Sequence, residues 1–348
     1  MSRRASRTPR RVLAGALAAV AAVAVVGCST EAAPMPSPTP TETYVSTYVP
    51  PEPYGIAPLT GEQVAVGSLT APSIAAKVDN HPAARPQVGL ERTDIVFEEL
   101  VEGGLTRYVA VWHSDVPDVI GPVRSIRPMD PDIISPLGGI VAYSGGQYRF
   151  VEMMRAAPVY NAIHGQADTA ETFFRGDNAP APHNVLVKAP QVIAQHSQLA
   201  APVQQFAFSE SIASATATKE GAPTSRIDLV FGGWSTPSWA WSADAERWVR
   251  FQTGGAPDTD AQGQQLSAVN VVVLRVPVEV IQSIPTTLLI GKGEAWVSTG
   301  GATVRATWSK SSMTAPIRIL DAQGVAVRLA PGNTWVELVP LAGSASFR

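Results

Sequence analysis

Three short stretches concentrate the side chains able to do chemistry. FEELVEGGLTRY carries Glu98 and Glu102 four residues apart, with Arg107 just past Gly103 and Gly104. IGPVRSIRP sets Arg124 and Arg127 three apart, fenced by Pro122 and Pro128. APHNV joins His183 to Asn184. Two carboxylates beside a guanidinium can accept hydrogen bonds from sugar hydroxyls. They can also divide into an acid and a base if the Arg keeps one of them ionised. Two converging guanidiniums suit a carboxylate or phosphate, because each donates in a planar fork. They can equally pair with Glu98, Glu102 or Asp130 of the same chain. A His that Asn184 orients can serve as a general base near neutral pH. Catalytic roles stay unassigned, with Glu98, Glu102 and His183 the candidates, and the sequence leans against an enzyme without deciding the matter.

Other polar positions carry less. Asp79 and His81 in VDNHP, His164 in NAIHG and His183 show no HxxxH or HExxH spacing, so no metal is expected. Ser144 in AYSGG lacks the GxSxG elbow of a nucleophile and reads as a turn at a strand end. No Walker loop or dinucleotide fingerprint is present, and no cofactor is expected.

The candidate residues need elements to position them. DIVFEELVEGGLTRYVAVWH reads as a hairpin. A two-residue turn at Gly103-Gly104 pairs Leu100 with Arg107, Phe97 with Ala110 and Ile95 with Trp112. One face then carries Ile95, Phe97, Val101, Tyr108, Ala110 and Trp112. The other carries Glu98, Leu100, Glu102, Arg107 and Val109, so that Glu98 and Glu102 flank Arg107 diagonally. A one-residue slip in pairing dissolves that cluster. Five residues between two prolines are too few for a substantial helix. Arg124 and Arg127 therefore point to opposite faces if the stretch is a strand, and converge if it is a turn.

Around these stretches the chain organises itself by composition. Residues 1–27 hold five Arg and then VLAGALAAVAAVAVV, an apolar run shorter than the ~20 residues of a spanning helix. This is the pattern of a signal peptide, and VVGC at its end is that of a lipobox, which makes Cys28 the lipidation site. Cys28 is the only Cys, so no intrachain disulfide is available. Residues 28–57 are rich in Pro, Ser and Thr and read as a disordered stalk above a membrane. Loss of the leader's five Arg leaves 21 Lys and Arg against 29 Asp and Glu, a net charge of −8. That balance excludes nucleic acid as a ready partner. The membrane, through the N-terminal lipid, and a wall polymer or envelope protein remain as expected partners.

The remainder reads as α+β. A mixed N-terminal domain over 58–220 holds IAAKV and GIVAYSG as strands, the hairpin, and FVEMMRAA as a short helix. A β-rich antiparallel domain follows over 221–340, with a hairpin in WAWSADAERWVRFQTG and strands in NVVVL and TWVELV. Residues 341–348 read as a tail.

Several blocks occur in an order with a known likeness. KVDNHPAARPQVGLERTDIVFEELVEGGLTRYVAVWH, IGPVRSIRP, FFRGDNAPAPHNVLV, GKGEAWV and GNTWVELVP together resemble the YerB-like bacterial lipoproteins, a two-domain family of unknown function. Two positions depart from it. APHNVLVK has Val-Leu in place of Leu-Tyr, and YSGGQ has Gln147 where the family has a hydroxyl residue. The resemblance implies a cell-envelope lipoprotein on the outer side of the membrane and supplies no reaction. It also implies that Arg85, Glu98, Glu102, Arg107, Arg124, Arg127, His183 and Asn184 assemble one polar pocket or one buried ion-pair network. The leading expectation is a protein that binds an anionic or sugar-containing envelope ligand or assists envelope assembly. The alternatives are a glycan-directed hydrolase or transferase using Glu98 and Glu102, and a structural spacer without ligand.

Overall fold

A computed structural model describes Tyr48, residues 52–177 and residues 179–348. The leader, Cys28 and most of the stalk lie outside the described residues. The last residues of the expected stalk do not: Tyr54–Ile56 pairs antiparallel with Gln63–Ala65, and Ala57 is buried.

Residues from Glu52 onward form one compact unit. Its first half supplies β1 (Ile74–Asp79), β2 (Ile95–Leu100), β3 (Thr106–Trp112), β4 (Ile140–Tyr143) and β5 (Tyr160–Ile163). Two short strands follow, β6 (Phe173–Arg175) and β7 (Val185–Val187). The second half supplies β8 (Arg226–Val230), β9 (Ser238–Ser242), β10 (Arg247–Phe251), β11 (Asn270–Val276), β12 (Gly291–Thr299), β13 (Ala302–Lys310), β14 (Thr334–Pro340) and β15 (Ser344–Phe347). Two helices matter for the site's surroundings, α1 (Asp130–Ile134) and α2 (Tyr148–Arg155).

The chain is α+β, and the two halves share a sheet. Eleven strands form it, with the central order β13-β12-β11-β14-β2-β3-β1-β4-β5. The seam is β14 beside β2, parallel and in register, with Glu337 opposite Glu98. The second half is β-rich as expected, but it is not wholly antiparallel, and it joins the first half through this sheet. β14 pairs parallel with both β11 and β2, because it enters between the halves and runs with them. Within the expected tail, β15 completes a five-stranded sheet by pairing with β8.

Both faces of the large sheet are covered, which explains strands that are apolar throughout rather than alternating. β1 and β14 are buried at every position. On one face Ile95, Phe97, Val109 and Val111 pack against Ile133 and Ile134 of α1 and Phe150 and Met154 of α2. On the other, Val96, Tyr108, Ala110 and Trp335 pack against Ile227, Leu229, Trp239 and Trp248 of the five-stranded sheet. Trp335 stands edge-on to Tyr108 at 5.3 Å and to Trp239 at 5.2 Å, the arrangement that the ring quadrupoles favour.

The hairpin forms, with its register displaced by one. Ile95 pairs with Val111, Phe97 with Val109, Glu98 with Tyr108 and Leu100 with Thr106. The cause is the turn. Val101 donates to the Leu105 carbonyl, so Glu102, Gly103 and Gly104 form a three-residue loop instead of a two-residue one. Gly103 and Gly104 both take positive φ there, 72° and 70°, which favours Gly. The slip moves Glu98 to the face opposite Arg107, and it splits the expected core set between the two faces.

Candidate functional site: an arginine-rich rim

β1, β4 and β5 are parallel, and their C-terminal ends share one edge of the sheet, the usual place for a ligand in such sheets. β1 ends at Asp79, Ser144 follows β4 and His164 follows β5. The IGPVRSIRP stretch lies across this edge. Asp79 N donates to the Pro122 carbonyl at 2.9 Å, Arg124 N to that of Lys77 at 2.7 Å, and Ser144 N to that of Arg124 at 3.0 Å. This extended path fixes where both arginines leave the backbone.

The rim gathers residues from four segments. Arg127 Nε donates to Glu102 Oε2 at 2.7 Å, and its Nη1 donates to the Ser125 and Ile126 carbonyls. Arg107, at the start of β3, donates from Nη1 to the same Ser125 carbonyl at 2.9 Å. Arg124 Nε stands 3.1 Å from Asp79 Oδ2 and is buried without a well-aligned hydrogen bond. His183 Nδ1 meets that carboxylate oxygen at 2.7 Å, and the His183 ring stacks on His81 at 4.4 Å.

Three guanidiniums thus face two carboxylates. Burial pushes Arg107 down to about 10, and the charges of Arg127 and Arg124 add to that shift. Burial works on the Glu102 carboxyl in the opposite sense to its hydrogen bond from Arg127, and the net effect is a value below the usual one. An added anion would relieve the crowding of cations.

Of the eight residues singled out by the family likeness, Glu102, Arg107, Arg124, Arg127 and His183 meet at this rim. Glu98 and Arg85 do not. Arg85 donates from Nε to Asn80 Oδ1 at 3.0 Å and from Nη2 to the Asn80 carbonyl, and Asn80 leads inward to Thr106 and Glu98. Asn184 is adjacent to His183 but turns away from it, accepting from Arg175 and donating to the Gly176 carbonyl. Asp79, not Asn184, orients His183.

The acid–base pairing of Glu98 with Glu102 is corrected for the same reason as the hairpin register. Glu98 is 1% exposed, and its Oε2 accepts from Arg250 Nη2 at 2.5 Å. Glu102 stands at the turn and pairs with Arg127. Ser144 Oγ lies 3.3 Å from His164 Nδ1, but among the described residues no carboxylate stands within hydrogen-bond reach of His164, so this pair lacks the orienting group of an activated nucleophile.

Two buried clusters were not anticipated. Arg250, fully buried between the sheets, donates to Glu98, to Asp258 Oδ2 at 2.9 Å and to Glu337 Oε1 at 3.1 Å. Its guanidinium lies 4.7 Å from the Trp335 ring centre and 5.2 Å from that of Trp239. Burial raises Glu337 well above the usual carboxylate range, and the adjacent Glu98 raises it further. On the opposite face, Lys77 Nζ contacts Glu99 and lies 2.7 Å from Asp130 Oδ1, all three being fully buried. The sequence held a signal for both. Lys77, Glu99, Arg250 and Glu337 are charged residues inside apolar strand runs, and such residues are rarely buried unless paired.

The raised Glu337 carboxyl has a direct test. Glu337→Gln keeps an acceptor for Trp239 Nε1, which now donates to Glu337 at 2.8 Å, and gives Glu98 an amide donor. The substitution is expected to shift folding stability at pH 7 by less than about 1 kcal/mol in urea denaturation.

The order of motifs, the shared sheet and the rim can now be set beside known proteins. The protein of unknown function (DUF3048) N-terminal domain matches residues 59–202, and the C-terminal domain of the same family matches residues 227–336. The chain belongs to this family. It is 24% identical over 300 residues to "Putative lipoprotein YerB" of Bacillus subtilis (strain 168), covering 84% of this chain and 88% of the relative. It also matches the crystal structure of YerB protein from Bacillus subtilis with a TM-score of 0.71 and 23% identity, over 84% of this chain and 99% of that one. The family carries no assigned activity, so the rim must be read from its own geometry.

Proposed function

We propose that this chain is a lipid-anchored protein of the outer face of the cell membrane that binds an anionic group at Arg107, Arg124 and Arg127. The observation carrying this reading is the excess of cations at the C-terminal edge of β1, β4 and β5. Among the described residues three guanidiniums, that of Arg107 pushed down by burial and by its cationic neighbours, share Asp79 and Glu102. The anchor rests on Cys28 in VVGC and on a relative named a putative lipoprotein. Glu98 is turned inward to Arg250, so the pairing of Glu98 with Glu102 on which the glycan-hydrolase alternative rests has no support in the geometry.

The test is a survey of small molecules that co-purify with the mature, unlipidated chain, by native mass spectrometry, with Arg124→Ala as control. A specific anion present on the parent chain and lost from Arg124→Ala supports the reading. Its affinity on back-titration should fall at least tenfold in the variant, or about 1.4 kcal/mol. An anion retained equally by both chains, or none on either, overturns it.

A further inference from the structure

Of the eight Trp residues, Trp234 alone is left exposed, at 75%. It is not on a loose segment. Phe231 N donates to the Ser235 carbonyl and Ser235 N to that of Gly232. Thr253 Oγ1 donates to the Trp234 carbonyl at 3.2 Å and accepts from Thr236 N at 2.8 Å. The backbone is pinned while the ring faces outward. The ring lies so close to Gly104 that a Cβ there would stand 3.1 Å from Trp234 Cδ1. Gly104 is two residues from Glu102, the partner of Arg127, and two consecutive Cα steps span at most ~7 Å. A second aromatic flanks the rim elsewhere. Tyr148 is 80% exposed, two residues past Gly146, which abuts Ile126 next to Arg127.

Resting on the anion-binding reading above, we infer that the anion is carried on a saccharide, with the Trp234 ring as the platform for the sugar. A pyranose has an apolar C–H face that stacks on an indole, and its hydroxyls need acceptors such as the partly exposed Glu102 carboxylate. An acidic substituent on that sugar then meets Arg127, Arg124 and Arg107. A protein partner would call for a continuous apolar patch, whereas Trp234 borders Gly104 in the turn that carries the Glu102–Arg127 ion pair. An anionic membrane surface is disfavoured by the net −8 of the mature chain.

The experiment compares N-acetylmuramic acid, which has both ring and carboxylate, with N-acetylglucosamine, which has the ring alone, and lactate, which has the carboxylate alone. N-acetylglucosamine 6-phosphate replaces the carboxylate by a phosphate. Each is titrated against the mature chain, Trp234→Ala and Arg124→Ala, followed by NMR. At least one of the two acidic sugars should bind tenfold or more tightly than either fragment. Trp234→Ala should reduce that sugar to the level of its isolated anion and leave lactate binding unchanged. Arg124→Ala should weaken both. If Arg124→Ala weakens lactate but Trp234→Ala leaves the acidic sugars unaffected, the saccharide inference is overturned and anion binding stands. If Arg124→Ala changes nothing, both fall. Trp234-dependent binding to vesicles of anionic lipid, without any preference for the acidic sugars, would assign Trp234 to the membrane and overturn the inference.

Discussion

Arg250→Met is expected to cost the fold about 3–5 kcal/mol, the range for removing one partner of a buried ion pair. Met keeps much of the aliphatic volume, so the loss is electrostatic more than steric. Arg250 is the cation that Glu98, Asp258 and Glu337 share among the described residues, and burial together with Glu98 raises the Glu337 carboxyl well above its usual range. Three carboxylates would then remain without a cation in a buried space lined by Tyr108, Trp239 and Trp335. The cluster also spans the seam of the large sheet: Glu98 belongs to the first half, Arg250 and Glu337 to the second, and β2 and β14 are neighbours. Its loss should loosen the two halves together. A single urea transition at a lower midpoint is therefore expected, rather than separate transitions. Two transitions, with the second at the parent midpoint, would show that the halves fold independently and that Arg250 does not couple them. The contrast with Glu337→Gln sharpens the reading. If that variant lost as much as Arg250→Met, Glu337 would have to be ionised in the fold.

The strands were readable from the chain because they are short, apolar and bounded by turn residues. IAAKV, GIVAYSG and TWVELV all form where they were expected, as does the hairpin of β9 and β10, with Trp241 opposite Trp248. Register was not readable at β2 and β3. Gly103-Gly104 fits a two-residue turn and a three-residue loop equally well by composition, and because side chains alternate with a period of two, the choice moves every one of them to the other face. That single residue separates Glu98 from Arg107 and carries Glu98 toward Arg250, 152 positions away. Spacing shows nothing of such a partner. The rim fared differently, because Arg124 and Arg127 lie on one extended stretch that the local prolines already marked. What the sequence left open was the partner of each, and Asp79, weighed only as a metal ligand, takes both Arg124 and His183.

Lys77→Met should be nearly as costly as the change at Arg250, with a loss that depends on pH. Lys77 is fully buried, and burial pulls it down to about 8, with Asp130 opposing that shift. The folded chain therefore binds fewer protons at this group than the unfolded chain, whose value is near 10.5. Its penalty on folding is fully present below pH 8, at roughly 3 kcal/mol for 2.5 pH units, and is relieved as pH rises from 8 toward 10.5. Removing Lys77 removes that penalty and leaves Glu99 and Asp130 without their cation. One Glu99 oxygen already lacks a hydrogen-bond partner, so the site has no spare donor to offer. At pH 7 the unpaired carboxylates dominate, and a net loss of about 3–5 kcal/mol is expected. As pH rises from 8 toward 10.5 the parent is relieved of the Lys77 penalty, which the variant no longer carries, so the loss should grow. The comparison is two urea titrations of parent and variant, at pH 7 and at about pH 9.5. A loss of equal size at both would mean that Lys77 is held for its packing along β1, and that the cluster around Asp130 contributes little through charge.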